Sequence, residues 1–200
     1  MDGTREELLE LWFGNLEDDA EVGESQSALW WGQSSATDEM LGGRFGQAAS
    51  AAAAGTLDHW SGSPRGRLAL ILLLDQLPRV IHRGTPAAFA TDARARWVAS
   101  KGLASSADRL LRPIERVFFY LPFEHSENRA DQQRSIDLFE AMADEVPDKW
   151  RALFDGYVEF AVRHREIVDR FGRFPHRNAI LGRGSTPEEV EFLKEAGSGF

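Results

Sequence analysis

Arginine residues are concentrated near the C-terminal end of an otherwise acidic chain. Residues 164–183 contain five arginines and only two acidic residues, whereas the whole chain has a formal charge of −9. Arginine stays charged at ordinary pH, and its planar fork of N–H donors binds carboxylates and phosphates at two points. The composition of this segment therefore predicts a site for a small anion.

Two further polar segments adjoin apolar stretches and could complete such a site. The first covers residues 75–84, where Asp75, Arg79 and Arg83 are four residues apart and so share one face of a helix. The second covers residues 120–127. From the three segments together we expect the anion to lie among seven side chains, which are Asp75, Arg79, Arg83, Glu127, Arg170, Arg173 and Arg177.

The same segments contain three candidate groups for acid–base catalysis. The side chains of Glu124, His125 and His176 can each give or take a proton. Because the arginines near His176 disfavour its cation, we expect a lowered pKa for this imidazole. A metal site is the alternative use of these groups, together with Glu127 and His164. The segments lack the His-x-x-x-His and Glu-x-x-His spacings typical of helical metal sites, so we predict no metal.

These residues are compatible with three functions. In the first, which we rank highest, the arginines bind a small carboxylate or phosphate. The sequence contains no recognisable cofactor motif, so the cofactor is unknown. Without such a motif, we expect any reaction at this site to be a hydrolysis. In the second, a helical-repeat module clamps the C-terminal carboxylate of a peptide. In the third, the acidic residues pair with the arginines and join helix ends, which is a purely structural role.

Length and composition exclude several classes of protein. Two hundred residues suit a single domain, which we expect to cover residues 1–200. The absence of cysteine excludes disulfides, thiol nucleophiles and thiolate metal sites. The negative net charge argues against nucleic-acid and membrane-surface partners. The longest apolar run, residues 68–74, is too short to cross a bilayer, and no signal-peptide pattern is present, so we expect a cytoplasmic protein.

Helix caps and prolines divide the chain into about eight helices, with no convincing strand. A cap residue followed by proline predicts three helix starts, at Ser63-Pro64, Thr85-Pro86 and Thr186-Pro187. The helix after Ser63-Pro64 is apolar on all sides, so we expect it at the centre of the fold. The pattern predicts an all-α protein, built as an array of antiparallel helical hairpins.

Two boundaries are also predicted from local signals. Apart from Ala28-Leu29-Trp30-Trp31, residues 15–36 are polar and without clear periodicity, which indicates an irregular segment. Pro122 follows a short apolar pattern that begins at Pro113, and we expect this second proline to end that helix. The helix that starts at Thr85-Pro86 is expected to continue through Trp97.

Several motifs resemble those of a known family. They are Trp12-Phe13-Gly14, residues 68–79 with 83–92, residues 119–127, and residues 170–178 with 181–183. These motifs are similar to those of the bacterial and partly eukaryotic family called "domain of unknown function 924", and the resemblance extends over almost the whole chain. The resemblance implies an all-helical, tetratricopeptide-like superhelix. The family has no established reaction, so the resemblance implies no catalytic roles.

The chain departs from the usual family pattern at three positions of the first motif. Leu77 stands where phenylalanine is usual, and Val80 and His82 replace an asparagine and an aromatic residue. These changes weaken any functional interpretation of His82. They leave the candidate anion ligands of the same segment in place.

Overall fold

The computed structural model describes residues 2–199, which form helices, turns and short connections without a strand in that range. The α-helices are α1 (Asp2–Phe13), α2 (Asp19–Trp31), α3 (Ser35–Ala53), α4 (Pro64–Ile71), α5 (Leu77–Ile81), α6 (Asp92–Ala104), α7 (Pro113–Glu124), α8 (Arg129–Glu145), α9 (Asp148–Phe171) and α10 (Pro187–Phe192). A π-helical turn, Leu72–Gln76, joins α4 and α5 into one continuous helix. Counting α4 and α5 as one helix, the described range holds nine helices, and the all-α prediction is confirmed.

The helix made of α4, the π-helical turn and α5 lies in the main core. Ser63 accepts a hydrogen bond from the N–H of Gly66, and Pro64 occupies the first turn, as predicted. Residues 68–77 are all buried, which confirms the expected position of this helix. The cap orients the start of the helix, while burial of its apolar residues supplies most of its stabilisation.

The proline at position 78 is accommodated inside this helix rather than ending it. Because proline has no N–H, the carbonyl of Leu74, four residues earlier, lacks its usual helical donor. The hydroxyl of Thr91 donates to that carbonyl at 2.6 Å. The helix therefore continues to Ile81. Single π-helical turns within α-helices are rare and are frequently found at functional sites.

The second central helix is α7, in which residues 114–124 are all buried. The prediction that Pro122 ends this helix is wrong, because Pro122 lies inside the last turn and the helix continues to Glu124. The N–H of His125 closes that turn by donating to the carbonyl of Leu121 at 2.9 Å. Proline removes only its own N–H, and the turn survives because the neighbouring bonds are kept.

The prediction of an irregular segment over residues 15–36 is also wrong. Asp18 caps the helix α2 by accepting hydrogen bonds from the N–H groups of Ala20 and Glu21. This helix buries only four residues, among them Val22 and Trp30, so its apolar periodicity is weak. The cap residue was the one local signal of the helix.

The predicted hairpin arrangement is clearest for α8 and α9. Arg129 at the start of α8 pairs with Asp169 near the end of α9, and Arg151 pairs with Asp144 at the opposite end. The two helices are therefore antiparallel. The tetratricopeptide-like superhelix of the whole chain stays a prediction. No helix in the described range is long and apolar enough to cross a membrane.

The helix predicted from Thr85-Pro86 through Trp97 is divided in two. A short 3-10 turn, Pro86–Phe89, comes first, and α6 begins only at Asp92. The helix start predicted at Thr186-Pro187 is confirmed. The Thr186 hydroxyl accepts from the N–H of Glu189, and the Glu189 side chain accepts from the N–H of Thr186, which together form a capping box. The late start of α6 places Asp92 beside the polar residues of α5, as described below.

The glycine at position 102 allows α6 to pack closely on the helices beneath it. A Cβ atom there would lie 2.4 Å from both Phe119 and Arg67. We expect Gly102→Ala to lower the free energy of unfolding by about 1–3 kcal/mol, because overpacking displaces buried groups. Gly43→Ala, in open space on α3, should raise it by about 0.5–1 kcal/mol. Urea unfolding of both variants measures this difference. Similar effects at the two sites would contradict the claim that Gly102 is needed for the close packing of α6.

Candidate functional site

A cavity of about 880 Å³ lies among α2, α5, α7, α9 and the segment that follows α9. Its volume is near the upper end of the range of about 300–1,000 Å³ found for small-molecule sites. One part of the wall is apolar and includes Trp30, Trp31 and Phe160, while the other carries the polar residues described next. The C-terminal end of α7 and the π-helical turn position that polar part.

The carboxylate of Asp75 and the imidazole of His125 form the central polar pair. Asp75 lies in the π-helical turn with none of its surface exposed, and its Oδ1 accepts from Nδ1 of His125 at 2.9 Å. Burial alone would raise the pKa of Asp75, but the nearby Arg79 and His125 hold it well below its usual range. Asp75 is therefore ionised and fixes the Nδ1–H tautomer of His125.

The second nitrogen of His125 is available for chemistry. His125 is one of the cavity-lining residues, and no group in the described range forms a hydrogen bond with its Nε2. Burial and the charge of Arg79 lower the pKa of the imidazole. The ring is therefore neutral near pH 7, with Nε2 able to accept a proton.

The neighbouring residue, Glu124, is a carboxylic acid that keeps its proton at neutral pH. Burial, together with the charge of Asp75, raises the pKa of Glu124 to about 8. Its Oε1 lies 3.3 Å from Nδ1 of His164, which also donates to the carbonyl of Phe160 at 2.8 Å. Burial lowers the pKa of His164 to about 3, so His164 is neutral. It therefore provides no positive charge that would stabilise an ionised Glu124.

Two arginines share a single carboxylate, that of Asp92, beside the Asp75–His125 pair. Arg79 donates from Nη1 and Nη2 to the two oxygens of Asp92, at 2.9 and 3.1 Å, and from Nη1 to the carbonyl of Asp75. Arg177 donates from Nη1 to the carbonyl of His125 at 3.0 Å, and the same nitrogen lies 3.5 Å from Asp92. Both terminal nitrogens of Arg79 are thus bound by protein groups, whereas only Nη1 of Arg177 is.

The guanidinium of Arg177 lies in an aromatic environment with donors to spare. Its central carbon is 4.7 Å from the ring centre of Phe89 and 4.6 Å from that of Phe174. The residue is 6% exposed, and neither Nε nor Nη2 donates to any residue in the described part of the chain. Burial and the charge of Arg79 lower the pKa of Arg177 to about 10. This guanidinium is still charged at pH 7.

His176, the third candidate for proton transfer, also lines the cavity. Burial, followed by the charge of Arg177, lowers the pKa of this imidazole to about 4, in the direction that the sequence predicted. Its ring lies 5.7 Å from the ring of Phe174. His176 is therefore a neutral imidazole at the polar part of the wall.

Four of the predicted anion ligands are engaged in ion pairs with the protein itself. Arg83, which also lines the cavity, binds both oxygens of Asp38. Outside the lining, Glu127 binds Arg183 at two points, Arg173 binds Glu189 at two points, and Arg170 pairs with Glu188. The three polar segments do meet in space, but these four pairs join segments of the chain, as the structural interpretation expects.

Several residues of this site were not singled out from the sequence. Asp92 lies within the helix predicted from Thr85-Pro86 through Trp97, and nothing local indicates its pairing with Arg79. The α9 positions Tyr157 and Phe160 line the cavity from one helix face, together with His164, which the sequence indicated as a candidate metal or acid–base group. Their spacing of three and four residues could have indicated a shared face, but not that it borders a cavity. No group of three His, Cys, Asp or Glu side chains suited to a metal occurs among residues 2–199.

The fold and the site together define an all-helical protein with a large cavity that is apolar at one part and ionisable at the other. The family described as "Bacterial protein of unknown function (DUF924)" matches residues 8–197, and the chain belongs to this family. A solved structure of a protein of unknown function from Agrobacterium tumefaciens is similar, with 38% identity and a TM-score of 0.82. The match covers 98% of this chain and 99% of that one. A comparison with curated protein sequences gives no match.

The raised pKa of Glu124 predicts a fall in stability as the pH rises through the neutral range. The folded protein holds this proton up to about pH 8, whereas the unfolded chain releases it near pH 4.5, so folding becomes less favourable between these values. Below about pH 6.5 the buried histidines oppose this trend, because unfolding then lets them bind protons. The clear window is therefore pH 6.5 to 8. Across it we expect the free energy of unfolding to fall by about 1–2 kcal/mol.

The control for this measurement is the neighbouring carboxylate Glu127, whose pKa is lowered, mainly by Arg183 against the effect of burial. Urea unfolding at several pH values should show that Glu124→Gln abolishes the decline, whereas Glu127→Gln lowers stability but keeps the slope. A slope that persists in Glu124→Gln would contradict a protonated Glu124.

Proposed function

We propose that the cavity binds a small anionic molecule through Arg177 and that His125 and Glu124 hydrolyse an ester or amide bond in it. The observation that carries the proposal is the buried guanidinium of Arg177, which has unused donors and lines the cavity beside His125. Leaving a buried donor without a partner costs about 1–3 kcal/mol, more for a charged group. An anion that accepts from Nε and Nη2 would recover this cost.

The arrangement of the unused donors suits a planar anion. Nε and Nη2 form one side of the guanidinium fork, the side that binds a carboxylate with two parallel hydrogen bonds. The charges of Arg79 and Arg177 are balanced by those of Asp75 and Asp92, and Arg83 is paired with Asp38. Since the site carries no large positive excess, it favours one negative charge on the ligand over two.

The two residues at the end of α7 have complementary protonation states. His125 is neutral and is held by Asp75 with its proton on Nδ1, so Nε2 can take a proton from a water molecule as the water oxygen adds to a carbonyl carbon. Glu124 is protonated and can give its proton to the leaving oxygen or nitrogen. The products are a carboxylic acid and an alcohol or amine. Solvent then returns the two residues to their starting states.

Binding is tested first with sodium benzoate and sodium phosphate, each compared with sodium chloride at matched ionic strength. We expect a rise in melting temperature with benzoate. At about 100 times its dissociation constant, a ligand adds about 2.7 kcal/mol of stability. The Arg177→Met variant should lose this response, because methionine has no hydrogen-bond donor. Its apolar side chain still fills the space of the arginine stem.

Arg173→Met is the matched control, because the fork of Arg173 is bound to Glu189 and this residue does not line the cavity. This variant should respond to benzoate as the wild type does. If Arg177→Met does not fold, Arg177→Lys replaces it, and calorimetric titration of the folded variant reports affinity directly. Equal benzoate affinities in the wild type and the Arg177 variant, or no binding of either anion by the wild type, would contradict the proposal.

Hydrolysis is tested with a 4-nitrophenyl ester of a dicarboxylic acid, which carries one negative charge. We expect His125→Gln to lower kcat by about 10²–10⁴-fold while benzoate affinity is kept, because the base acts only in the reaction. The rate of the wild type should be constant near pH 7 and fall above about pH 8 as Glu124 loses its proton. A rate that His125→Gln leaves unchanged would contradict the assigned base.

A further inference from the structure

The apolar part of the cavity points to the class of molecule that the site binds. We propose that the ligand is an amphipathic monocarboxylate, whose carboxylate binds Arg177 and whose apolar acyl chain lies between α2 and α9 against Gly156. This inference rests on the proposed function, because it uses the same anion site. It adds the chemistry of the rest of the ligand and names a residue that limits its size.

The wall between α2 and α9 is built from one face of each helix. On α2 the lining includes the small residues Ala20, Gly23 and Ser27, which are three and four residues apart. On α9 it includes Leu153 and Gly156 at a spacing of three. Residues at these intervals share a helix face, so α2 and α9 each present small residues to one stretch of this part of the cavity.

The two glycines of this wall have different surroundings. A Cβ at Gly23 would lie 3.0 Å from a methyl group of Leu153, so Gly23 permits close packing of α2 on α9. A Cβ at Gly156 would meet no atom within 4 Å. Close packing of the protein therefore does not account for a glycine at position 156.

A glycine inside a long helix is unfavourable compared with alanine, because it loses more backbone freedom on folding. Gly156 lies near the middle of α9, which has 24 residues, and it borders the cavity. The open space beside it is room that a side chain would fill. We take this space as the path of the ligand's apolar part.

Large apolar side chains line the same part of the cavity while remaining half-exposed. Trp31 and Phe160 are each 49% exposed, and both line the cavity. Burying their surface under an apolar ligand is favourable by about 25 cal/mol per Å². From Leu153 to His164, α9 rises about 16 Å at 1.5 Å per residue, so its lining extends from the apolar part to the polar part.

The charge pattern decides which apolar molecules fit. Arg177 is buried with unused donors on one side of its fork, and Glu124, which also lines the cavity, is a protonated acid rather than a second anion. A neutral hydrocarbon would leave those donors unpaired, and a small inorganic anion would leave the apolar wall exposed. A monocarboxylate with an acyl chain satisfies both parts of the cavity.

The test is calorimetric titration of the wild type with acetate, butyrate, hexanoate, octanoate and the neutral 1-octanol. We expect affinity to rise about fourfold for each added methylene that is buried, the equivalent of about 0.8 kcal/mol. 1-Octanol should bind at least tenfold more weakly than octanoate. Octanoate affinity should fall at least tenfold in Arg177→Met and stay unchanged in Arg173→Met.

The variant Gly156→Leu tests the path of the chain. Leucine favours the helix, so the variant should fold, and its side chain should fill the space beside α9. We expect octanoate affinity to fall at least tenfold, while butyrate affinity changes less than twofold. Gly43→Leu, which places the same side chain in open space on α3 away from the cavity, should leave both affinities unchanged.

The outcomes separate this inference from the proposed function. Carboxylate binding that needs Arg177 but is equal for butyrate and octanoate, or octanoate affinity that Gly156→Leu leaves unchanged, would overturn the acyl-chain inference and keep the anion site. Binding of 1-octanol as tight as that of octanoate would overturn the anion site and this inference with it. No binding of any of the carboxylates, benzoate included, would overturn both.

Discussion

The buried carboxylate of Asp75 is the group on which the polar part of the molecule depends. An ionised carboxylate with no exposed surface is strongly unfavourable unless cations and donors surround it. Asp75 has the imidazole of His125, the amide of Gln76 and the guanidinium of Arg79 within reach. These contacts join the π-helical turn to the end of α7. They set the tautomer of His125. Burial, together with the charge of Asp75, raises the pKa of Glu124 and keeps it protonated.

A second consequence concerns the arginines. Arg79 is occupied by Asp75 and Asp92, so Arg177, which shares Asp92, is left with unused donors. The forks of Arg183 and Arg173, by contrast, are each bound at two points by a carboxylate, that of Glu127 and that of Glu189. Because Arg177 has unused donors and also lines the cavity, it belongs to the part of the polar network that can bind a ligand, whereas the two paired arginines stabilise the fold.

Much of the fold follows from local signals, whereas the cavity does not. Proline after a cap residue, and apolar runs with helical spacing, predict the central helix after Ser63 and the last helix after Thr186. The sequence pattern does not predict α2, because that helix buries few large residues. It also places the end of α7 too early, at Pro122, because neighbouring hydrogen bonds keep the last turn of that helix intact. The polar segments are predicted to meet, and they do. Which arginine is left unsaturated depends on Asp92, whose pairing with Arg79 no local pattern indicates.

The most direct test of this account is a long-range ¹H–¹⁵N NMR spectrum of the histidine rings at pH 7, recorded before and after addition of benzoate. The account predicts a neutral His125 with its proton on Nδ1, because Asp75 accepts from that nitrogen, and an Nε2 resonance that moves when benzoate binds. It also predicts that Asp75→Asn changes the tautomer or protonation of His125. A His125 that is protonated on Nε2 in the wild type, with a resonance that benzoate leaves unchanged, would contradict the account.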